Sequence, residues 1–183
     1  MAMRVSVFIA TSLDGFIAGM DGDLKWLNEA SAEVPEGDDL GYAEFMASVD
    51  TLVMGRKTYE QVLSFGAWPY GDKPVIVLSH NPLVFPEYIP DTVSHSSESP
   101  TDLYRRLAEA GSKHIYVDGG NTIQRFMAVG LITDITLTLV PVFLGSGIPL
   151  IHELDQQIHL KHMQSRTSEN GFVQVRYELI EST

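Results

Sequence analysis

The stretch Thr51-Leu52-Val53-Met54-Gly55-Arg56-Lys57-Thr58-Tyr59-Glu60 decides the fold, because it joins a strand to a helix through one glycine. Its first four residues form an apolar run, which is typical of a strand covered on both faces of a sheet. A second stretch, Val117-Asp118-Gly119-Gly120-Asn121-Thr122, repeats the order of strand, glycine and helix. This repetition predicts an α/β protein with a mainly parallel sheet.

Further elements extend this pattern in both directions along the chain. Period-2 or continuous apolar runs predict additional strands at 5–10, 74–78, 114–117 and 135–139. Apolar residues at helical spacing predict helices at 42–49 and 100–110, and a third helix between Asn121 and Gly130. In that third helix we expect Asn121 to be the N-cap and Gln124 to complete a capping box.

Two segments of the chain depart from the alternation of strands and helices. Residues 16–41 are rich in glycine and acidic side chains, and we expect them to form one long functional loop. Segments 158–164 and 172–179 flank the turn dipeptide Asn170-Gly171, and the second of them alternates apolar and polar residues. The chain is therefore expected to end in an antiparallel hairpin at one side of a parallel sheet whose two faces are covered by helices.

The charge and cysteine content exclude several classes of protein. The 183 residues carry 24 acidic and 12 basic side chains, which gives a net charge of −12. Such a field repels nucleic-acid backbones and anionic lipids, so we expect neither as a partner. The absence of cysteine excludes disulfides and thiolate metal sites and favours the cytoplasm. The length fits a single domain over residues 1–183, and the first apolar run is too short for a signal peptide or a membrane span.

Both glycine units are suited to hold phosphate. Glycine allows the backbone to approach an anion closely, and the first N–H groups of the following helix have no partner within the helix. Arg56 and Lys57 add two cations to the first unit. For a single such glycine an ordinary tight turn is the better explanation. Two matched units make a bound dinucleotide an equal alternative, because ligands of open α/β sheets bind outside the carboxyl ends of the strands.

Other motifs carry less weight. Asp14 follows the first strand and is the first candidate for a catalytic acid, although Asp14-Gly15 is also a common turn. Trp26 could cover a flat ring or simply anchor its loop to the core. The Gly145-Ser146-Gly147 segment lacks the third glycine of a dinucleotide fingerprint, and His152-Glu153 lacks a second histidine at zinc spacing. We therefore expect no metal site.

Five segments taken together resemble a known family. They are TSLDGFIA at 11–18, VMGRKTYE at 53–60, VIVLS at 75–79, DGGN at 118–121 and LVPVFLGSG at 139–147. In order and spacing they resemble the dihydrofolate reductase fold, a three-layer α/β/α architecture. The SLDG and PVFLGSG segments resemble more closely the reductase domain of bacterial riboflavin biosynthesis, the RibD C-terminal domain family. The cysteine-free chain lacks the zinc deaminase signature of the bifunctional enzyme and resembles a stand-alone member.

The resemblance implies that NADPH binds across one edge of the sheet. The residues implied at the cofactor are Ala10 and Ile17 at the nicotinamide, Ser79 at the adenosine 2′-phosphate, and Gly55, Arg56, Lys57, Thr58, Gly119, Gly120, Asn121 and Thr122 at the phosphates. Asp14, or a water that it orients, would supply a proton. Trp26, Asp39 and Tyr42 are expected to bind the substrate.

The activity that the resemblance implies is reduction of a pyrimidine or pterin-type substrate, most closely 5-amino-6-(5-phosphoribosylamino)uracil. Two alternatives stay open. One is dihydrofolate reduction, for which the family places a pterin-binding acid on the helix before the Gly-Arg strand; Asp39 and Glu44 lie near that point but out of register. The other is a protein that binds NADP(H) without catalysing a reaction. A homodimer formed through edge strands is also expected.

Overall fold

The computed structural model describes residues 2–180, and an eight-stranded sheet forms its centre. The ten strands are β1 (Arg4–Ser12), β2 (Phe16–Ala18), β3 (Thr51–Gly55), β4 (Val75–Leu78), β5 (Val93–Ser96), β6 (His114–Asp118), β7 (Asp134–Val140), β8 (Ile148–Pro149), β9 (His159–Thr167) and β10 (Val173–Ile180). The central sheet has the order β5-β4-β3-β6-β1-β7-β10-β9, while β2 and β8 form a separate pair.

The pairing within the central sheet confirms the predicted topology. From β5 to β7 every neighbouring pair of strands is parallel. Strand β10 pairs antiparallel with both β7 and β9, so the chain ends in an antiparallel hairpin. Strand β9 is the outermost strand on this side, and its residues are almost all exposed.

Residues 2–180 form five helices, and those that pack against the two faces of the sheet complete three layers. The five helices are α1 (Lys25–Ser31), α2 (Tyr42–Ser48), α3 (Arg56–Ser64), α4 (Pro100–Glu109) and α5 (Gly120–Ala128). Helix α4 begins as predicted, because the Ser99 hydroxyl accepts a hydrogen bond from the Asp102 backbone N–H at 3.2 Å.

Each face of the sheet has its own apolar core. Leu103 of α4 and Phe126 of α5 are fully buried against Val5 and Val7 of β1 on one face. On the other face the core is formed by Val49, Leu52, Met54, Tyr59, Val75, Val77, Ile89, Val93 and Tyr116, and side chains of α2 pack against it. Burial of this apolar surface holds the helices against the sheet.

The segment between β1 and α2 differs from its prediction as one long loop. Strand β2 starts at Phe16 because its backbone pairs with β8, far along the chain. Helix α1 follows, and it contains no fully buried residue. Strand β5 was also missing from the prediction, since its four residues VSHS contain one apolar side chain and become a strand only by pairing with β4.

The capping box predicted at Asn121 and Gln124 is wrong. The N-cap of α5 is Gly119, whose φ of 93° lies in the left-handed region that favours glycine. Asn121 therefore lies inside the first turn of the helix. The side-chain amide of Gln124 instead donates to the Leu150 carbonyl at 2.9 Å.

Two further observations concern the chain as a whole. No helix within the described part of the chain combines the length and the apolar character that crossing a membrane requires. The single domain expected over residues 1–183 includes Met1 and 181–183, which lie outside the described residues. That expectation stays a prediction.

Candidate functional site

A groove of about 1170 Å³ follows the carboxyl ends of the parallel strands β1, β3, β4 and β6. Every residue that the resemblance implies at the cofactor lines this groove, namely Ala10, Ile17, Gly55, Arg56, Lys57, Thr58, Ser79, Gly119, Gly120, Asn121 and Thr122. The folded chain therefore brings these residues to one surface. Their role in binding stays a prediction.

The two glycine units meet at the centre of the groove because their strands are neighbours. Strands β3 and β6 pair in parallel, with Met54 opposite Asp118. A Cβ at Gly55 would lie 2.8 Å from Thr122 Oγ1, and a Cβ at Gly119 would overlap with Thr58 Oγ1. Each glycine thus leaves the space that is filled by a threonine from the other unit.

The starts of α3 and α5 have the chemistry needed for phosphate. Gly55 and Gly119 are the N-cap residues, and neither helix has a side chain that caps its first N–H groups. These N–H groups can donate to an anion, and the helix dipole favours negative charge there. A Cβ at Gly120 would lie 2.6 Å from Ile17 Cδ1, so this glycine also lets β2 approach α5. The uncapped N–H donors at the two helix starts, which line the groove, fit a dinucleotide phosphate.

The charges along the groove differ between its two ends. Arg56, Lys57 and Arg125 line the groove around the glycine units, and Arg56 Nε donates to Glu60 Oε1 at 2.7 Å on the helix surface. This ion pair is about half exposed, so it is weak enough for Arg56 to turn towards a bound anion. The end near Ser79 contains Glu98 instead.

Glu98 is held by neighbouring groups. Arg106 Nη2 donates to Glu98 Oε2 at 2.7 Å, and the Ser96 hydroxyl donates to the same oxygen. The hydrogen bonds from Arg106 lower the pKa of Glu98, so the carboxylate stays ionised. Arg106 therefore offsets, but does not remove, the negative charge at this end of the groove.

Asp118 lines the groove and is a candidate functional residue that the sequence patterns did not indicate. It is partly buried at the end of β6, and burial raises its pKa from 3.8 to about 6, although the Gly119 N–H donates to its Oδ1 at 2.8 Å. A carboxyl with this pKa can hold or release a proton near neutral pH. The sequence does contain one feature that could have indicated Asp118, which is its position at the end of a buried strand directly before two glycines.

Asp14, the predicted acid, is exposed and does not line the groove. Its carboxylate accepts hydrogen bonds from the Ser12 hydroxyl at 2.6 Å and from the backbone N–H groups of Leu144 and Gly145 at 3.1 and 2.8 Å. These bonds, that of Ser12 first, lower the pKa of Asp14. The geometry favours a structural role that fastens the glycine loop after β7, and the catalytic role stays a prediction without support from the groove.

The three residues expected at the substrate also lie outside the groove wall. The Asp39 carboxylate accepts from the Gly41 and Ala43 N–H groups, which fixes the start of α2. Tyr42 contacts the edge of Phe8, with ring centroids 5.5 Å apart, and Phe8 does line the groove. Trp26 is half-buried on α1.

Residues near Trp26 in the sequence line the groove, although Trp26 itself does not. Met20, Leu24 and Leu27 line one side of the groove, and the Gln61 side chain of α3 donates to the Gly22 carbonyl at 3.1 Å. The segment after β2 therefore forms part of the groove wall with Met20, Leu24 and Leu27, and Trp26 is not among the lining residues. Its functional role stays a prediction.

Comparisons with known proteins identify close relatives. The family model of the RibD C-terminal domain matches residues 4–174. A crystal structure from Shewanella sp. PV-4, of a protein assigned by its name to riboflavin biosynthesis, is 38% identical, covers 98% of this chain and 100% of that one, and has a TM-score of 0.90. The uncharacterised protein YwjB of Bacillus subtilis (strain 168) is 37% identical over 163 residues, which are 88% of this chain and 90% of YwjB.

Two more distant structures share the fold. One is a diaminohydroxyphosphoribosylaminopyrimidine deaminase/5-amino-6-(5-phosphoribosylamino)uracil reductase from Thermotoga maritima, at 16% identity and a TM-score of 0.71 over 98% of this chain and 57% of that one. The other is dihydrofolate reductase from Enterococcus faecalis complexed with NADP(H), at 20% identity and a TM-score of 0.65 over 97% of both chains. With a dihydrofolate reductase-like fold and a family match over nearly its whole length, the chain belongs to the RibD C-terminal domain family.

Proposed function

We propose that this protein is an NADPH-dependent reductase of a pyrimidine of the ribosylaminouracil type. The observation that carries the proposal is the pair of interlocked glycine units facing one groove. The names of two structural neighbours, a uracil reductase and a dihydrofolate reductase complexed with NADP(H), support the same class of reaction.

The proposal gives the chain the task of holding the cofactor and orienting the substrate. The N–H groups at the starts of α3 and α5, with Arg56 and Lys57, would hold the phosphates. Ala10 and Ile17 would form the apolar surface against the nicotinamide, and Leu24 and Leu27 would exclude water from the same space. When bound, NADPH supplies the hydride, and the protein fixes its approach.

We propose Asp118, rather than Asp14, as the residue that donates the proton. Reduction of a C=N or C=O group places a hydride on carbon and requires one proton on nitrogen or oxygen. Asp118 lines the groove beside Gly119 and has a pKa raised by burial to about 6, so part of the population is protonated near neutral pH. Asp14 is instead occupied by the Leu144 and Gly145 N–H groups.

The substrate proposed is a uracil rather than a folate. A pterin-binding acid would be needed on α2, and the acids near that point do not face the groove. Asp39 caps the backbone of α2, and Glu44 lines a different cavity. Placement in the cytoplasm and a homodimer through the exposed strand β9 belong to the same proposal.

The first test is cofactor binding by the purified protein. NADPH fluorescence should change on binding, with a weaker response to NADH. The second test follows NADPH oxidation with 5-amino-6-(5-phosphoribosylamino)uracil and, separately, with dihydrofolate. We expect turnover with the uracil only. Turnover of dihydrofolate would contradict the substrate, and binding of NADPH without oxidation by either would contradict the reaction.

A variant pair separates the two candidate acids. Asp118→Asn should lower kcat by about 10²–10⁴-fold, as expected for loss of a general acid, while NADPH binding stays within about twofold. Asp14→Asn should leave the pH dependence of kcat unchanged. Loss of that pH dependence in Asp14→Asn, but not in Asp118→Asn, would restore Asp14 as the acid.

A further inference from the structure

A second cavity, of about 270 Å³, lies on the sheet face that carries α2. It is walled by β1, β7, β9, β10 and α2, and the groove and this cavity share only Phe8 among the residues that line them. Three arginines from three different strands enter it, which are Arg4, Arg166 and Arg176. We refer to it as the arginine cavity.

The arginine cavity gathers three arginines in a strongly anionic chain, and the carboxylates of Glu44, Asp134 and Asp39 offset part of their charge. Glu44 is the one carboxylate among the residues that line the cavity. Arg4 is paired with the buried Asp134 at 2.7 Å, and Arg176 approaches the same carboxylate at 3.5 Å. Arg166 has no ion-pair partner within the described range 2–180 and donates through Nε to the Gln174 side chain at 3.0 Å.

One guanidinium donor in the cavity is buried without any partner, and a second is buried with only a long ion pair. Arg166 Nη2 and Arg176 Nε have almost no contact with solvent and no hydrogen-bond partner among residues 2–180, although Arg176 Nε lies 3.5 Å from Asp134 Oδ1. Buried donors in folded proteins nearly always have a partner, so each unsatisfied one requires an explanation. An oxyanion beside Arg166 would satisfy its Nη2.

We propose that the arginine cavity binds a phosphate monoester. Arginine matches phosphate through its planar set of donors, and the three oxygens of a phosphate can accept from two arginines and a neighbouring glutamine amide at once. Gln164 supplies such an amide in the cavity wall, while the Gln174 side chain donates to Thr138 Oγ1 and accepts from Arg166 Nε. The small volume fits one compact group. The arginines stand on paired strands, so the site does not depend on a loop changing shape.

The phosphate has two possible sources with the same chemistry. It can belong to a free phosphorylated small molecule that occupies only the arginine cavity. It can also be the end of a substrate whose ring lies in the groove on the other side of Phe8. The second source rests on the proposed function, whereas the first does not.

The test is calorimetric titration of the full chain with inorganic phosphate in a phosphate-free buffer, with NADPH present to fill the phosphate positions of the groove. Wild-type protein should bind phosphate, and Arg166→Gln should bind it at least about tenfold more weakly, since a charge-assisted donor is lost. Arg166→Lys should lie between the two. Circular dichroism verifies that the variants fold.

Arg105→Gln is the matched control, because Arg105 is exposed on α4 and makes only a surface ion pair with Asp102. It should leave phosphate affinity unchanged. Absence of phosphate binding by the wild type, or equal affinity in Arg166→Gln, overturns the proposal. If NADPH itself does not bind, the proposed function fails separately, and the titration is repeated on Arg56→Gln to remove binding in the groove.

The kinetic arm distinguishes the two sources. If the cavity holds the phosphate end of the substrate, Arg166→Gln should raise KM for the phosphorylated uracil, leave kcat unchanged, and have no effect on the dephosphorylated compound. Inorganic phosphate should then compete with the substrate. If the cavity binds a free phosphate ester, Arg166→Gln should change the KM of neither the phosphorylated nor the dephosphorylated uracil. Inorganic phosphate should then bind together with the substrate.

Discussion

Thr58 on α3 occupies the space that a Cβ at Gly119 before α5 would need, although the two residues are far apart in the chain. The same relationship holds in reverse between Thr122 and Gly55. The contact requires glycine at Gly119 for two separate reasons, which are its positive φ and the lack of room.

Replacement of Gly119 tests both reasons. Gly119→Ala should lower the free energy of unfolding by about 2–4 kcal/mol, of which a strained φ accounts for about 1–2 kcal/mol and the collision with Thr58 for the rest. The variant should also bind NADPH more weakly. Gly111→Ala is the control, because Gly111 has a φ of 92°, against 93° at Gly119, and open space around it. If urea denaturation showed the same loss of stability in both variants, the collision with Thr58 would make no contribution.

Arg56 provides a test of the cationic end of the groove. Arg56→Gln should weaken NADPH binding by about tenfold, because one charge-assisted hydrogen bond to phosphate is lost. Arg105→Gln also removes one surface ion pair and one positive charge, and it should leave the affinity unchanged. Fluorescence titration measures the NADPH affinity of both variants. An equal loss of affinity in the two would mean that Arg56 acts only through the net charge of the protein.

Glu98 provides the opposite test at the other end. Glu98→Gln should tighten NADPH binding several-fold and leave NADH binding almost unchanged, because a carboxylate beside Ser79 repels the 2′-phosphate. Loss of the partly exposed pair with Arg106 should cost at most about 1 kcal/mol of stability. Glu109→Gln, at the end of α4, is the control for net charge. If Glu98→Gln tightened NADH binding to the same degree, the 2′-phosphate of NADPH would not lie beside Glu98.

Asp118 should make the protein less stable as the pH rises. Its pKa is about 6 in the folded chain against an ordinary 3.8, so the folded state holds the proton more readily than the unfolded state. The stabilising contribution is present below about pH 4 and is lost as the pH rises through about 6. Asp118→Asn should therefore be more stable than the wild type at neutral pH by about 1 kcal/mol, a value reduced by water in the open groove. Asp91→Asn, at an exposed position, should show no such gain in urea denaturation.

His114 should have the opposite effect on stability. Burial lowers its pKa below 6.5, and its ring lies between the Ser6 hydroxyl at 2.8 Å and Ser48. The unfolded state therefore takes up the proton more readily, and stability is lost as the pH falls through the ordinary pKa. His114→Gln should flatten this loss between pH ~7.5 and ~5.5. The exposed His152→Gln should retain the wild-type slope, and a flattened slope there would assign the effect to another histidine.

The parts of the molecule that sequence predicted well are those encoded by local pattern. The glycine units could be predicted because an apolar run, a glycine and a helix follow one another directly, and strands of this kind align their carboxyl ends. Strand β5 could not, because VSHS has no periodic signal and depends on β4 for its hydrogen bonds. The position of Asp14 after β1 indicated a catalytic acid. In the folded chain its carboxylate instead accepts from the Leu144 and Gly145 N–H groups, which lie about 130 residues away in sequence and which no local pattern indicates. Asp118 has its pKa raised by burial, which no local pattern encodes.

The reciprocal contacts at Gly55–Thr122 and Gly119–Thr58 also constrain how such a chain can evolve. An alanine at Gly55, whose φ is −79°, is tolerable only after Thr122 has become smaller, so the order in which the two substitutions arise determines whether the intermediate survives. At Gly119 a second substitution does not help in the same way. A smaller residue at Thr58 would relieve the crowding, but the φ of 93° would still strain an alanine at this position. We therefore expect paired variation across the first contact and a fixed glycine at the second.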